Sequence, residues 1–276
     1  MLKKRIISSL WIAPLVIVAV WFGEPGFTIV IALAGAVAAF EFYKMVSGLR
    51  IHPLTYFGIV LTLLFILSRN PTLIDLLSQY FNTDLLTPVL TVLALAVPLV
   101  WILRPFRGES HFSRWIWTVT GIFYIGWLLS HLVALRGIED GRNWVMLVVL
   151  ITFASDTSAF FVGRAIGKHR LAPNISPAKT WEGATAGVLA AAIVSLAFIL
   201  ETPFSLYLGY WQAVPLAIAV SIFGQLGDLL ESWFKRTFSV KDSGTLIPGH
   251  GGVLDRLDSV VFAGLVVYYY VIWIVS

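Results

Sequence analysis

Between Ser232 and Asp258 the chain reads SWFKRTFSVKDSGTLIPGHGGVLDRLD. Lys235, Arg236, Lys241, Asp242, His250, Asp255, Arg256 and Asp258 all lie between two segments greasy enough to cross a bilayer. Charges beside hydrocarbon are costly unless they bind something. Cations, carboxylates and a His-Gly-Gly turn together suit a phosphate-rich, metal-dependent site at a membrane surface. A purely structural role would leave too many charges beside lipid in need of partners.

The helix leading into this stretch carries Asp228, Ser232 and Lys235 at i, i+4 and i+7, which places them on one face. Leu229, Leu230, Trp233 and Phe234 cover other directions, and Gly224 and Gly227 permit close approach of a second helix or a ligand. Asp255 and Asp258 stand at i and i+3, with Arg256 between them, where the last helix begins. Carboxylate oxygens are hard ligands for Mg²⁺, which takes one or two of them with phosphate oxygens and water. Asp228 and Asp255, from separate helices, form a candidate pair for such an ion. The Pro248–Gly252 turn lets backbone approach a ligand without Cβ interference, at Gly251 and Gly252 in particular. His250 has three readings: a base, a phosphate contact, or a hydrogen bond that steadies the turn. The last two are favoured, because a phosphate nucleophile needs no deprotonation.

Two further groupings share that side of the membrane. Asp156 lies in the otherwise apolar run FASDTSAFFVG, about two turns or roughly 10 Å from the end of its helix. An intramembrane carboxylate is functional by default, against the alternative of a structural Asp bonded to nearby Ser and Thr. The loop Gly163–Gly183 holds Ser176-Pro177-Ala178-Lys179-Thr180. Pro177 breaks any preceding helix, so a new helix starts near Lys179 or Thr180, and its free N–H groups beside Lys179 suit a phosphate. The rival reading makes Thr180 an ordinary helix cap. Both stay open here.

The elements that position these residues follow from composition. Of 276 residues, 58% are hydrophobic and 12% charged, and mean hydropathy is +0.87, so the chain is an integral membrane protein. With no cysteine, disulfide and thiolate chemistry are excluded. The pI near 9.4 reflects the positive-inside bias and anionic lipid rather than nucleic acid, which is not an expected partner.

Runs of roughly 17 or more apolar residues place about nine transmembrane helices at 6–22, 27–45, 53–68, 86–103, 115–133, 144–163, 181–200, 212–231 and 259–275. The first begins like a signal peptide but lacks a small-residue cleavage pattern, so it reads as a retained helix. With the N-terminus in the cytoplasm, all but Arg69, Arg136 and Arg142 of the 19 Lys and Arg residues fall on the cytoplasmic side. The expected fold is therefore an all-α, single polytopic membrane domain over 1–276. N-terminal helices span 1–135, and catalytic helices with cytoplasmic loops span 144–276. The compact chain without a soluble extension points to a bacterial plasma membrane. Pro71–Asp84 has the pattern of an interfacial amphipathic helix.

The run Ser232-x-x-Lys235-Arg236-x4-Lys241-Asp242, followed by Pro248-Gly249-His250-Gly251-Gly252-x-x-Asp255-Arg256-x-Asp258, resembles the signature of the phosphatidate cytidylyltransferases. Ser176-Pro177-x-Lys179-Thr180-x-Glu182-Gly183 and Gly227-Asp228-x-x-Glu231-Ser232 resemble further patterns of that family. The likeness covers Asp156 to Asp258. Ala178, where a basic residue is common, is a mild departure. The resemblance implies Mg²⁺-dependent conversion of CTP and phosphatidic acid to CDP-diacylglycerol and pyrophosphate, in a homodimer whose site opens to the cytoplasm. It implies Asp228 and Asp255 as metal ligands, and in some members a second, monovalent cation, K⁺. Asp156 and Asp258 are additional candidate ligands. Lys179, Lys235, Arg236, Lys241, His250 and Arg256 are the candidate catalytic residues, and Ser176, Thr180, Ser232, Gly251 and Gly252 the candidate substrate contacts.

Two other functions compete. A CTP-dependent polyprenol kinase would transfer a terminal phosphoryl group and release CDP. A secondary transporter also uses glycine-rich breaks and intramembrane carboxylates. Here, however, the charges cluster toward one face and the halves show no symmetry.

Overall fold

The computed structural model describes residues 14, 16–102, 111–200, 204–247, 249 and 251–275. The chain divides into two compact units, Met1–Gly137 with Phe238–Asp255, and Ile138–Thr237 with Arg256–Ser276.

In the first unit the helices are α1 (Gly26–Ser47), α2 (Thr55–Leu67), α3 (Pro71–Ser78), α4 (Leu86–Ile102) and α5 (His111–Gly137). Apolar runs in hydrocarbon must satisfy every backbone polar group internally, which is why they coil. Small residues then set how closely the helices meet. A Cβ on Gly35 of α1 would sit 2.6 Å from Ile66 Cδ1 on α2 and 3.2 Å from Leu129 Cδ1 on α5. The buried Tyr43 ring lies against Gly58 and Gly121, and its hydroxyl donates to Thr118 O at 2.9 Å. α5 widens to i→i+5 bonding over Ile122–Trp127. There Ile122 joins Leu61, Phe65, Leu90 and Ala94 in a buried cluster. Of the helix expected over Pro71–Asp84, Pro71–Ser78 forms as α3, turned 85° from α2. Asn70 Oδ1 caps it by accepting from Leu73 N at 2.9 Å, and Pro71 occupies its first turn, where no N–H is missed.

In the second unit, α6 (Gly141–Ile166) leads into strands β1 (Arg170–Ala172) and β2 (Ser176–Thr180), then α7 (Trp181–Ala197) and α8 (Tyr210–Thr237). The last helix, α9, runs Leu254–Val275, and from Arg256 onward it belongs to this unit. A short hairpin interrupts the helices of this unit. β1 and β2 pair antiparallel, Arg170 with Thr180 and Ala172 with Ser176. Pro177 fits because a two-stranded ribbon has free edges.

The chain is a helical membrane protein. Among the described residues, six helices are long and apolar enough to cross a membrane, or seven if the bent pair α2–α3 counts as one span. Two expected spans are short: α7 has 17 residues and α2 has 13, about 26 Å and 20 Å of helix. The first expected span, 6–22, lies largely outside the described residues.

Candidate active site

In the second unit, α8 supplies Asp228 and Glu231, one turn apart, and α9 supplies Asp258. One carboxylate oxygen from each lies within 4.8 Å of the others. Gly227 makes this approach possible. A Cβ there would overlap Asp258 O and stand 2.7 Å from Phe262 Cδ2, whereas one on Gly224 would meet nothing closer than 3.7 Å. Gly227→Ala is therefore expected to destabilise the protein by about 2 kcal/mol through overpacking and to lower activity. Gly224→Ala should be near neutral. Thermal unfolding in detergent, with activity measured beside it, checks the contrast.

Like charges this close repel by several kcal/mol at an effective dielectric of about 20, so cations must offset them. Lys179, on β2, places Nζ 2.6 Å from Asp228 Oδ2, and Lys235 pairs with the fully buried Glu231 one turn earlier. Ser232 Oγ lies 3.5 Å from Asp228 Oδ1, at the limit of a hydrogen bond. Asp156 of α6 has Asp228, Lys179 and Arg256 as charged neighbours, and those of Asp258 include Asp228, Asp156 and Lys235. Three convergent hard oxygen donors from two helices fit a divalent cation, and the two lysines offset part of their charge.

The hairpin brings the expected phosphate loop to this cluster through Lys179. Thr180, buried, caps α7 by accepting from Gly183 N at 3.1 Å, so the capping reading holds for its side chain. Ser176 sits in β2, half-buried. Arg236 is exposed and donates through Nε to Ile175 O at 3.2 Å, beside Ser176. Arg256 is exposed at the head of α9.

In the first unit, the segment before α9 is held by carboxylates. Asp255 Oδ2 accepts from Ser243 N at 2.9 Å, Ser243 Oγ at 2.8 Å and Gly252 N at 2.8 Å. Gly251, at φ +80°, closes the turn by accepting from Ile247 N at 3.0 Å. A Cβ on Gly251 would also overlap Asp255 Oδ2. Lys241 and Asp242 are exposed just before Ser243. His250 lies outside the described residues.

The Cytidylyltransferase family model matches residues 3–274. The chain belongs to the cytidylyltransferase family. It is 35% identical to a phosphatidate cytidylyltransferase of Brucella abortus over 274 residues, which cover 97% of this chain and 92% of the relative. With the Bacillus subtilis protein of the same name, identity is 31% over 269 residues, or 97% of each chain. A Staphylococcus haemolyticus phosphatidate cytidylyltransferase is 44% identical over 156 residues, 56% of this chain and 58% of that one.

Within this cytidylyltransferase, Asp228 and Asp255 fall in different compact units. The carboxylates that join Asp228 are those of Glu231 and Asp258. The motif Gly227-Asp228-x-x-Glu231-Ser232 contains Glu231 without marking it as a ligand. Glu41 lies outside every motif. It is 5% exposed, and its Oε2 accepts from Leu254 N at 3.0 Å and lies 3.3 Å from Ser243 Oγ. The signal was present: Glu41 interrupts the apolar run ALAGAVAAFEF just as Asp156 interrupts its own, and the same rule applies to both.

Proposed function

We propose that this chain is a phosphatidate cytidylyltransferase, transferring the cytidylyl group of CTP to phosphatidic acid to give CDP-diacylglycerol and pyrophosphate. Its kinship to proteins of that name along nearly its whole length carries the reading. The carboxylate–lysine cluster supports it, because it offers what phosphoryl-type transfer needs: positioning and charge neutralisation.

A phosphate oxygen of phosphatidic acid attacks the α-phosphorus of CTP in line. A new P–O bond forms as the bond to the β-phosphate bridge breaks and pyrophosphate leaves. Asp228 and Asp258, with Glu231 beside them, would hold Mg²⁺. When bound, it supplies Lewis-acid neutralisation of phosphate charge. Asp156 is an additional candidate at this cluster. Asp255 is the second ligand that the resemblance implies. Lys179 and Lys235, steadied by Asp228 and Glu231, bind phosphate oxygens. Arg236, Lys241 and Arg256 are exposed cations for the triphosphate and lipid headgroup. Ser176, Thr180, Ser232, Gly251 and Gly252 line the substrates, and His250 contacts phosphate or steadies its turn. A second, monovalent cation such as K⁺, which the resemblance implies for some members of the family, would add to the neutralisation of phosphate charge.

In this reading, residues 1–276 work as one polytopic domain with nine spans and the N-terminus in the cytoplasm. The protein is a homodimer in a bacterial plasma membrane, and its site opens to the cytoplasm. Acyl chains then stay in the leaflet while the headgroup meets soluble CTP at the interface.

Purified protein given CTP, phosphatidic acid and Mg²⁺ is expected to release pyrophosphate and form CDP-diacylglycerol, identified by mass, with loss of activity on chelation. CDP release with a phosphorylated polyprenol would instead identify a kinase. Substrate flux without turnover would identify a transporter.

A further inference from the structure

Helix α1 places a carboxylate, Glu41, inside the unit it helps to build. Burying a carboxylate is costly without compensating bonds. Its partners come from the far end of the chain: Leu254 N donates to Oε2 at 3.0 Å, and Ser243 Oγ lies 3.3 Å away. Ser243 Oγ also donates to Asp255 Oδ2 at 2.8 Å. A hydroxyl has one proton, so it serves the two carboxylates in turn. The fixed donors are the Leu254 amide for Glu41 and the Ser243 and Gly252 amides for Asp255.

The glycines of the segment fit this arrangement. A Cβ on Gly244 would overlap Glu41 Oε1, and one on Gly252 would overlap both Glu41 Oε2 and Ser243 Oγ. Gly252 does not have a positive φ, so close approach by Glu41 and Ser243 accounts for its being glycine. The residue after Glu41 holds the other end of the segment. Phe42 meets Phe238 edge-on with ring centroids 6.1 Å apart, and Trp117 lies 4.8 Å from the same ring. Two adjacent residues of α1 thus fasten both ends of 238–254, the stretch that carries Lys241, Gly251 and Gly252.

We infer that Glu41 is a positioning residue for the proposed cytidylyl transfer, acting through Ser243 and the Leu254 amide to hold the glycine-rich loop in its working conformation. This rests on the cytidylyltransferase reading above.

The test uses the full chain in detergent, with Glu41→Gln, Glu41→Ala, Ser243→Ala and the Ala double mutant. Pyrophosphate release gives kcat and KM for CTP, and hydrogen exchange is followed in peptides covering 243–254. Glu41→Ala is expected to lower kcat/KM about 100-fold, with KM for CTP raised and exchange in 243–254 accelerated. Glu41→Gln keeps an acceptor oxygen and should recover to within about tenfold of wild type. Ser243→Ala acts through the same contact, so the double mutant should cost little more than Glu41→Ala alone. Additive losses, an unchanged KM, or unchanged exchange would overturn the inference. Should Glu41→Ala not fold, Glu41→Gln decides, because Ser243→Ala also removes the bond to Asp255: faster exchange with a raised KM supports the inference, and wild-type exchange and KM sink it. If wild type makes no pyrophosphate, the cytidylyltransferase reading fails, and the exchange comparison still decides whether Glu41 holds the loop.

Discussion

Asp228→Asn is expected to cut pyrophosphate release about 1,000-fold, and Asp258→Asn by a similar factor, in protein that still folds. Asparagine keeps the shape of aspartate but removes the anionic oxygen. The cluster then loses one of three convergent hard donors, and Lys179 loses the carboxylate 2.6 Å from its Nζ. Metal-centred charge stabilisation is worth several kcal/mol, and each 1.36 kcal/mol is a factor of ten in rate. The fold should survive, because removing one of several crowded negative charges also relieves repulsion. Rates measured across a Mg²⁺ titration check the cause: both variants should need more Mg²⁺ for their residual activity. If either variant kept more than about a tenth of the wild-type rate at unchanged Mg²⁺ demand, that carboxylate would lose its place in the metal reading.

The parts of this site that could be read from sequence were those fixed by short-range geometry. Helical spacing predicted that Asp228, Ser232 and Lys235 share a face, and α8 carries all three. Pro177 and Thr180 marked a helix boundary, and α7 starts at Trp181 with Thr180 as its cap. The hairpin before it was not legible. β1 and β2 have three and five residues, too few for a strand periodicity to stand out against a basic loop. Long-range partners were also hidden. Asp228 and Asp255 were paired as carboxylates from separate helices, while the carboxylates that the fold gathers around Asp228 are Glu231 and Asp258. Which carboxylate meets Asp228 depends on how α8 approaches α9 at Gly227, and no local pattern encodes that. Glu41 is the extreme case, bonded across 213 residues to Leu254. Its solitary place in a span is a signal that it matters, but nothing local names its partner.

Asp255 should respond to substitution differently from Asp228, because its Oδ2 organises backbone. Asp255→Ala strands the buried Ser243 and Gly252 amides, while the Ser243 hydroxyl can turn to Glu41 Oε2 at 3.3 Å. Each stranded buried donor costs about 1–3 kcal/mol, so a loss of roughly 3 kcal/mol or more is expected. Asp255→Asn retains an amide oxygen that can accept from the two backbone donors, and should lose about 1 kcal/mol, much of it from the weaker neutral bonds. Asp255 also stands in the first turn of α9, where a negative charge is favourable and asparagine forgoes it. Thermal unfolding in chelator separates this role from ligation. With metal removed, a residue that acts only as a ligand gives wild-type stability in both variants, and that result would refute the loop-fastening role. Ordered destabilisation, alanine beyond asparagine, would establish it. Adding Mg²⁺ then isolates ligation: metal that raises the unfolding midpoint of wild type more than that of Asp255→Asn would place Asp255 among the ligands, and equal increments would remove it from them.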